Sequence, residues 1–289
     1  MSGPSHGRER SFYELGSTPL FASRCDARFS YCLYVPSSYQ EGGANPFRLL
    51  VVIHGTTRTA QEYRDAFVDF AEANQCVVLA PLFPAGITGR WELDSYKFLE
   101  QDGIRFDLIL LDMVDEAAER YGVDADRFLM HGFSGGGQFA HRFFYLHPQR
   151  LLGLSVGAPG LITLLDDSRP WWVGVADVEE RFDVALSLDR MREVPVSMVI
   201  GADDVETWDI NDPDSPNWME GAYDAGVTRL ERIRVLTQSF RDAGFQVEHD
   251  ELPGVAHEGF QVVDQVKDFF ARTLRARPSS TDRHAAAIE

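Results

Sequence analysis

A short apolar run, Arg127-Phe128-Leu129-Met130-His131, leads into Gly132-Phe133-Ser134-Gly135-Gly136. Gln138-Phe139-Ala140-His141-Arg142-Phe143-Phe144 then continues with the apolar spacing of a helix. G-x-S-x-G between a strand and a helix is the pattern of a nucleophile elbow. The turn it makes is sharp and strained, so Cβ atoms flanking the serine would collide. Gly132 and Gly136 remove them, and Gly132 is also free to take φ > 0. Ser134 is thereby lifted out of the sheet at a helix N-terminus, whose amides favour negative charge. A glycine-rich turn with an idle serine would share the five residues. The strand before and the amphipathic helix after single out Ser134 as a nucleophile.

Segments of both kinds alternate along the rest of the chain. Phe29 to Val35 alternates apolar and polar residues and reads as an early, half-exposed strand. Arg48 to Ile53, Cys76 to Ala80, Leu151 to Val156 and Pro195 to Ile200 are continuous apolar runs, as expected of parallel strands buried on both faces. Phe245 to Leu252 is the last strand. Helices are expected over Thr59–Asn74, Ile104–Tyr121 (with Leu108, Leu111, Val114 and Ala118 inward), Thr228–Ala243 and Phe260–Leu274. The class is therefore α/β, a mostly parallel central sheet with helices on both faces. The 289 residues read as one domain over 12–276, between loose arms at 1–11 and 277–289. Two stretches interrupt the alternation, near 161–191 and 205–227, and read as cap-like insertions. Leu82 to Gly103 is a loop long enough to be part of a site.

Ligands of such sheets bind beyond the carboxyl ends of the strands. A serine hydroxyl there needs a base, and the base needs an acid that fixes its tautomer. In the order Ser…Asp…His, Ser134 is followed by Gly201-Ala202-Asp203-Asp204 at a strand end and by His257 on the loop after the last strand. Asp204 is the first choice for the acid and Asp203 the second, the other aspartate being left to cap a turn or bind backbone amides. His257 is the best placed of the eight histidines. Two amides are expected to meet the developing oxyanion, that of Gly135 and that of Thr56, which follows the Arg48–Ile53 strand. Trp91, Phe133, Trp172, Trp208 and Trp218 are the candidates for a substrate site suited to an apolar or aromatic group, with Tyr96 and Trp171 in the same loops.

Those residues carry a resemblance. His54-Gly55-Thr56-Thr57-Arg58-Thr59-Ala60 with the elbow Gly132-Phe133-Ser134-Gly135-Gly136 resembles the serine esterases of the α/β-hydrolase superfamily, in their polyhydroxybutyrate-depolymerase-like and feruloyl-esterase-like branch, from about Phe29 to Leu274. The resemblance implies the α/β-hydrolase fold. It also implies Ser134 as nucleophile, Asp204 as acid, His257 as base, and the Thr56 and Gly135 amides as the oxyanion site. That branch often has cysteine after His-Gly and commonly glutamine at the place of Arg58. The expected activity is hydrolysis of a small to medium ester through an acyl-enzyme. An amidase or peptidase on the same three residues, and a ligand-binding protein that keeps the fold without catalysis, are the other readings.

Charge and cysteines bound the partners. Lys+Arg 27 against Asp+Glu 45 gives a net charge of −18, which argues against nucleic acid and anionic membranes. The expected partner is a small-molecule ester or amide, with no cofactor and no metal site; a homo-oligomer stays open. Cys25, Cys32 and Cys76 have no metal-like spacing. An odd count without a secretory leader or a membrane-length apolar run points to reduced thiols in a cytoplasm.

Overall fold

A computed structural model of the chain describes residues 11–43, 46–208 and 210–277. The elements in order are β1 (Gly16–Ser17), β2 (Phe21–Ala22), β3 (Ser30–Val35), β4 (Arg48–Ile53), α1 (Ala60–Ala66), α2 (Val68–Asn74), β5 (Cys76–Leu82), β6 (Glu100–Gln101), β7 (Ile104–Arg105) and α3 (Phe106–Tyr121). They continue with β8 (Asp124–Phe133), α4 (Gly135–Leu146), β9 (Leu151–Gly157), α5 (Val178–Phe182), α6 (Leu188–Arg192), β10 (Val196–Gly201), α7 (Arg229–Asp242), β11 (Val247–Leu252) and α8 (Val263–Ala276).

The main sheet runs β1-β3-β5-β4-β8-β9-β10-β11, with β2 also on β3. From β5 to β11 all neighbours are parallel. β3 is antiparallel to β5. Leu49 to Ile53 and Phe128 to Met130 are fully buried, so helices cover both faces there. That is why these strands read as unbroken apolar runs rather than alternating ones. β11, at the edge, instead alternates intermediate and exposed residues and carries Glu248 and Asp250, which blunt that edge. The elbow strand β8 lies in the middle of the sheet, between β4 and β9.

Several expected boundaries move. The helix expected over Thr59–Asn74 is two helices joined at Phe67, whose backbone (φ −107, ψ 12) turns the ring inward beside Phe70 and His131. The helix expected from Ile104 begins at Phe106, because Ile104 and Arg105 pair back on Glu100 and Gln101 across an Asp102-Gly103 turn. Both turn residues have positive φ, the property for which Asp-Gly is favoured in tight hairpins. The buried face also differs from the one expected. Phe106, Leu110, Met113, Val114 and Ala117 point inward, while Leu108 is 44% exposed. β1 and β2 were not expected at all; two-residue strands carry no periodicity to read. Of the two arms expected, residues 1–10 and 278–289 lie outside the described residues. Arg277 is tied down, its carbonyl accepting from Arg48 Nη2 at 2.8 Å and its guanidinium donating to the Glu193 carbonyl.

One buried ion cluster ties the start of α3 to the end of α4. Asp107 is fully buried, 2.7 Å from Arg105 Nη2 and 2.7 Å from His147 Nε2. Burial alone would raise its carboxyl, but the hydrogen bonds from Arg105 and His147 outweigh it and hold the pKa below the ordinary aspartate value. A depressed carboxyl contributes stability above its unfolded pKa, and that contribution is lost as pH falls through the folded value. Asp107→Asn is therefore expected to lower unfolding free energy at pH 7 by about 3 kcal/mol. The difference from the wild type should shrink in urea titrations as pH drops below about 4. A difference independent of pH would contradict the ionised state.

Candidate active site

Ser134 stands at φ 56 and ψ −117, between the end of β8 and the start of α4. Left-handed φ on a serine is strained by roughly 1–3 kcal/mol and persists only where the surroundings enforce it. Here the close approach of three elements enforces it. A Cβ on Gly132 would run into the Gly136 carbonyl, and one on Gly136 into the Ile53 carbonyl at the end of β4. The Ser134 amide is held by the Gly157 carbonyl of β9 at 2.9 Å. Gly132 itself does not take positive φ; the left-handed residue of the turn is the serine.

The side chains expected to converge do so. His257 Nε2 lies 3.0 Å from Ser134 Oγ. His257 Nδ1 lies 2.6 Å from Asp204 Oδ2. Asp204 is fully buried, and its other oxygen is 3.5 Å from Nη1 of buried Arg229, at the first position of α7. The loop that carries His257 is pinned to the end of β10. Ala202 donates to the Leu252 carbonyl at 2.8 Å and Asp203 to the Val255 carbonyl at 2.9 Å. Gly201 permits this, since a Cβ there would strike the Val255 and Ala256 carbonyls. Asp203 is exposed, away from His257, and it joins this turn through its backbone amide and not, as expected, through its carboxylate. The Phe133 ring lies against the His257 imidazole, 5.0 Å between centroids.

The Gly135 backbone lies close to the Thr56 amide. A Cβ on Gly135 would sit 3.2 Å from the Thr56 nitrogen. Among the described residues neither amide donates to a protein acceptor, so both are available to a ligand. The Thr56 loop is fixed by two residues. His54 is fully buried, and burial holds its pKa down at about 3, so the ring is neutral. Its Nε2 accepts from the Phe83 amide at 3.0 Å, so Nδ1 carries the proton and donates to the Gly55 carbonyl at 2.8 Å. Arg58 donates to the Thr56 carbonyl at 2.5 Å and to the Leu93 carbonyl at 2.8 Å, tying this loop to the long loop after β5.

Two clefts meet at Ser134. A cleft of about 220 Å³ is lined by Trp172, Trp208 and Trp218 with Lys97, Gln138 and Arg229. A wider one of about 640 Å³ holds Phe133, Tyr63, Phe260, Trp208 and His257. Four of the five expected aromatics therefore face the site. Trp91 does not; it is 80% exposed, beside Arg90, and lines neither cleft. Tyr96 and Trp171 are buried structural residues, donating to the His54 carbonyl at 3.1 Å and the Phe98 carbonyl at 3.2 Å. The smaller cleft mixes its tryptophans with charged and amide side chains, whereas the wider one is mainly aromatic. Lys97, Gln138 and Arg229 were not foreseen. Gln138 had a signal, lying one helical turn beyond Ser134; Lys97 and Arg229 had none. Among the described residues no group of three or more His, Cys, Asp or Glu is placed to hold a metal ion. No helix among them is long and apolar enough to cross a membrane.

No protein-family model matches this chain, and no curated protein matches it in sequence. Solved structures do. Poly(aspartic acid) hydrolase-1 from Sphingomonas sp. KT-1 is similar over 88% of this chain and 98% of its own, with TM-score 0.69 and 21% identity. LpqC, a poly(3-hydroxybutyrate) depolymerase from Bordetella parapertussis, is similar over 92% of each chain, with TM-score 0.69 and 20% identity. A ferulic acid esterase is similar over 89% of this chain and 98% of its own, with TM-score 0.61 and 14% identity. Sheet order, elbow and these likenesses together identify the fold of this chain as that of the α/β-hydrolases.

Proposed function

We propose that this protein is a serine hydrolase that cleaves a carboxylic ester through an acyl-enzyme. The observation that carries the reading is the hydrogen-bonded series Ser134 Oγ–His257 Nε2–Asp204, at 3.0 and 2.6 Å, with the serine held in a strained elbow. Ser134 Oγ attacks the ester carbonyl while His257 Nε2 takes its proton. Buried Asp204 holds the imidazole in the tautomer whose Nε2 is free to accept, and stabilises the imidazolium that forms. The charge arriving on the carbonyl oxygen meets the Thr56 and Gly135 amides, the second at the N-terminus of α4. His257 then gives its proton to the departing alkoxide. Water, activated by the same imidazole, releases the acid and restores Ser134.

His257 borders the wider cleft and not the smaller one. The leaving group, which receives the proton from His257, is thus assigned to the wider, aromatic cleft, and the acyl group to the smaller one. The three cysteines are unpaired thiols, one exposed and two buried, which supports a reducing, cytoplasmic setting. The likeness to a poly(aspartic acid) hydrolase favours a second reading, cleavage of an amide by the same groups. The two differ in the leaving atom that His257 must protonate.

Wild type is expected to hydrolyse a short-chain aryl ester, and Ser134→Ala to lose at least about a thousandfold in kcat/KM. Equal rates for the two would remove Ser134 from the reaction. His257→Ala is expected to lose kcat/KM by a comparable factor. A His257→Ala variant as active as wild type, with circular dichroism showing the fold intact, would count against its role as base.

A further inference from the structure

This chain carries a net charge of −18, yet its buried cations gather at one place. Among the described residues five Lys or Arg side chains are buried: Arg64, Lys97, Arg142, Arg229 and Arg232. All but Arg64 surround the smaller cleft. Lys97 and Arg229 line it, Arg229 bordering the wider cleft as well and pairing with Asp204 at 3.5 Å. Arg142 and Arg232 stand one layer behind. Arg142 donates to the Lys97 carbonyl at 2.7 Å and lies over the rings of Phe98 and Trp172, at 4.7 and 5.4 Å. Arg232 donates to the Ile210 carbonyl at 3.0 Å and to the Gly160 carbonyl. Among the described residues neither of these two has a carboxylate within ion-pair distance; their acceptors are carbonyls and one side-chain oxygen each.

Burying a cation without a counter-ion is costly, and a buried charge is poorly screened. Burial lowers the pKa of Arg142 to about 9 and that of Arg232 to about 10, so both remain charged at neutral pH. The carboxylates nearby are largely engaged. Asp204 holds His257, Asp94 pairs with Lys97 at 2.5 Å and with Asn217 at 3.5 Å, and Asp212 is exposed at the rim. Lys97 and Arg229 are paired with Asp94 and Asp204, so the excess of buried positive charge around the acyl position comes from Arg142 and Arg232.

We propose, resting on the serine-hydrolase reading, that the smaller cleft takes an acyl group carrying its own carboxylate, so that the preferred substrate is a half-ester of a dicarboxylic acid. The size agrees. A cavity of about 150 Å³ holds benzene, so about 220 Å³ holds about nine non-hydrogen atoms, the count of an adipoyl group with its free carboxylate. The local field overrides the overall negative charge because its sources are buried and close.

The test compares two phenyl esters of equal size, phenyl hydrogen adipate and the analogue in which the free carboxylate is a primary carboxamide. At neutral pH, wild-type kcat/KM is expected to favour the carboxylate by about tenfold, and because the cations are buried, roughly 0.5 M salt should leave most of that ratio in place. Lys97→Met should lower the ratio and Asp94→Asn should raise it, each by about fivefold. General damage to the cleft would move both variants the same way. Equal wild-type rates for the two esters, a preference that roughly 0.5 M salt abolishes, or same-direction changes in the two variants would overturn the proposal. The salt series decides the matter on the wild type alone if a variant fails to fold. If neither ester is turned over, or Ser134→Ala turns them over as fast as wild type, the serine-hydrolase reading fails instead. Ser134-dependent turnover without a charge preference rejects only the anionic cleft.

Discussion

The backbone of Gly136 touches the carbonyl of Ile53, and the site depends on that contact. It seats the first turn of α4 directly on the ends of β4 and β8, closer than any side chain would allow. Two consequences follow from one missing Cβ, and a third from the sheet itself. Ser134 stands at positive φ in the turn that this contact closes. The Gly135 backbone is brought close to the Thr56 amide, although the two lie far apart in sequence. And the strand ends that carry Asp204 and His257 lie on the same rim, because all the strands from β5 to β11 run parallel.

Loops positioned over such a rim have backbone groups to satisfy, and this protein uses buried side chains for the purpose. His54 and His141 repeat one device. Each is fully buried and kept neutral by burial, each accepts a loop amide at Nε2, and each donates from Nδ1 to a carbonyl near its own position. His54 thereby joins the oxyanion-side loop to the end of β5, and His141 joins the elbow helix to Thr163 of the first insertion. Arg58, Arg142 and Arg232 act similarly through forked donors on main-chain carbonyls. A guanidinium supports several carbonyls at once, which an ammonium cannot do in a fixed plane. The walls of the smaller cleft are therefore held from behind at several points, as expected of a largely preformed site.

Much of this was legible in the amino-acid sequence. Parallel strands buried on both faces leave continuous apolar runs, and the elbow leaves glycines on both sides of a serine, so the sheet and the position of Ser134 could be read directly. Asp204 and His257 were legible from their places at strand ends, although nothing local separated Asp204 from Asp203. What separates them is tertiary: the turn after β10 buries one carboxylate against His257 and leaves the other in solvent. The aromatics were harder. Trp91 and Trp208 look alike in sequence and are both highly exposed, at 80% and 76%, but only Trp208 borders the clefts. The charged lining was not legible, since Lys97 and Arg229 owe their positions to a long loop and to the entry of α7. Nor was the short hairpin before α3, whose Asp102-Gly103 turn was present but flanked by strands too short to show alternation.

The central claim is that Ser134 is a nucleophile activated by His257. Its most direct test is reaction with a fluorophosphonate followed by peptide mass spectrometry, with residual ester hydrolysis measured at each degree of labelling. The expected result is one phosphonyl group on Ser134, hydrolysis lost in proportion to it, and labelling greatly slowed in His257→Ala. Hydrolysis that survives full modification of Ser134, or that disappears in step with a label on another residue, would contradict the account.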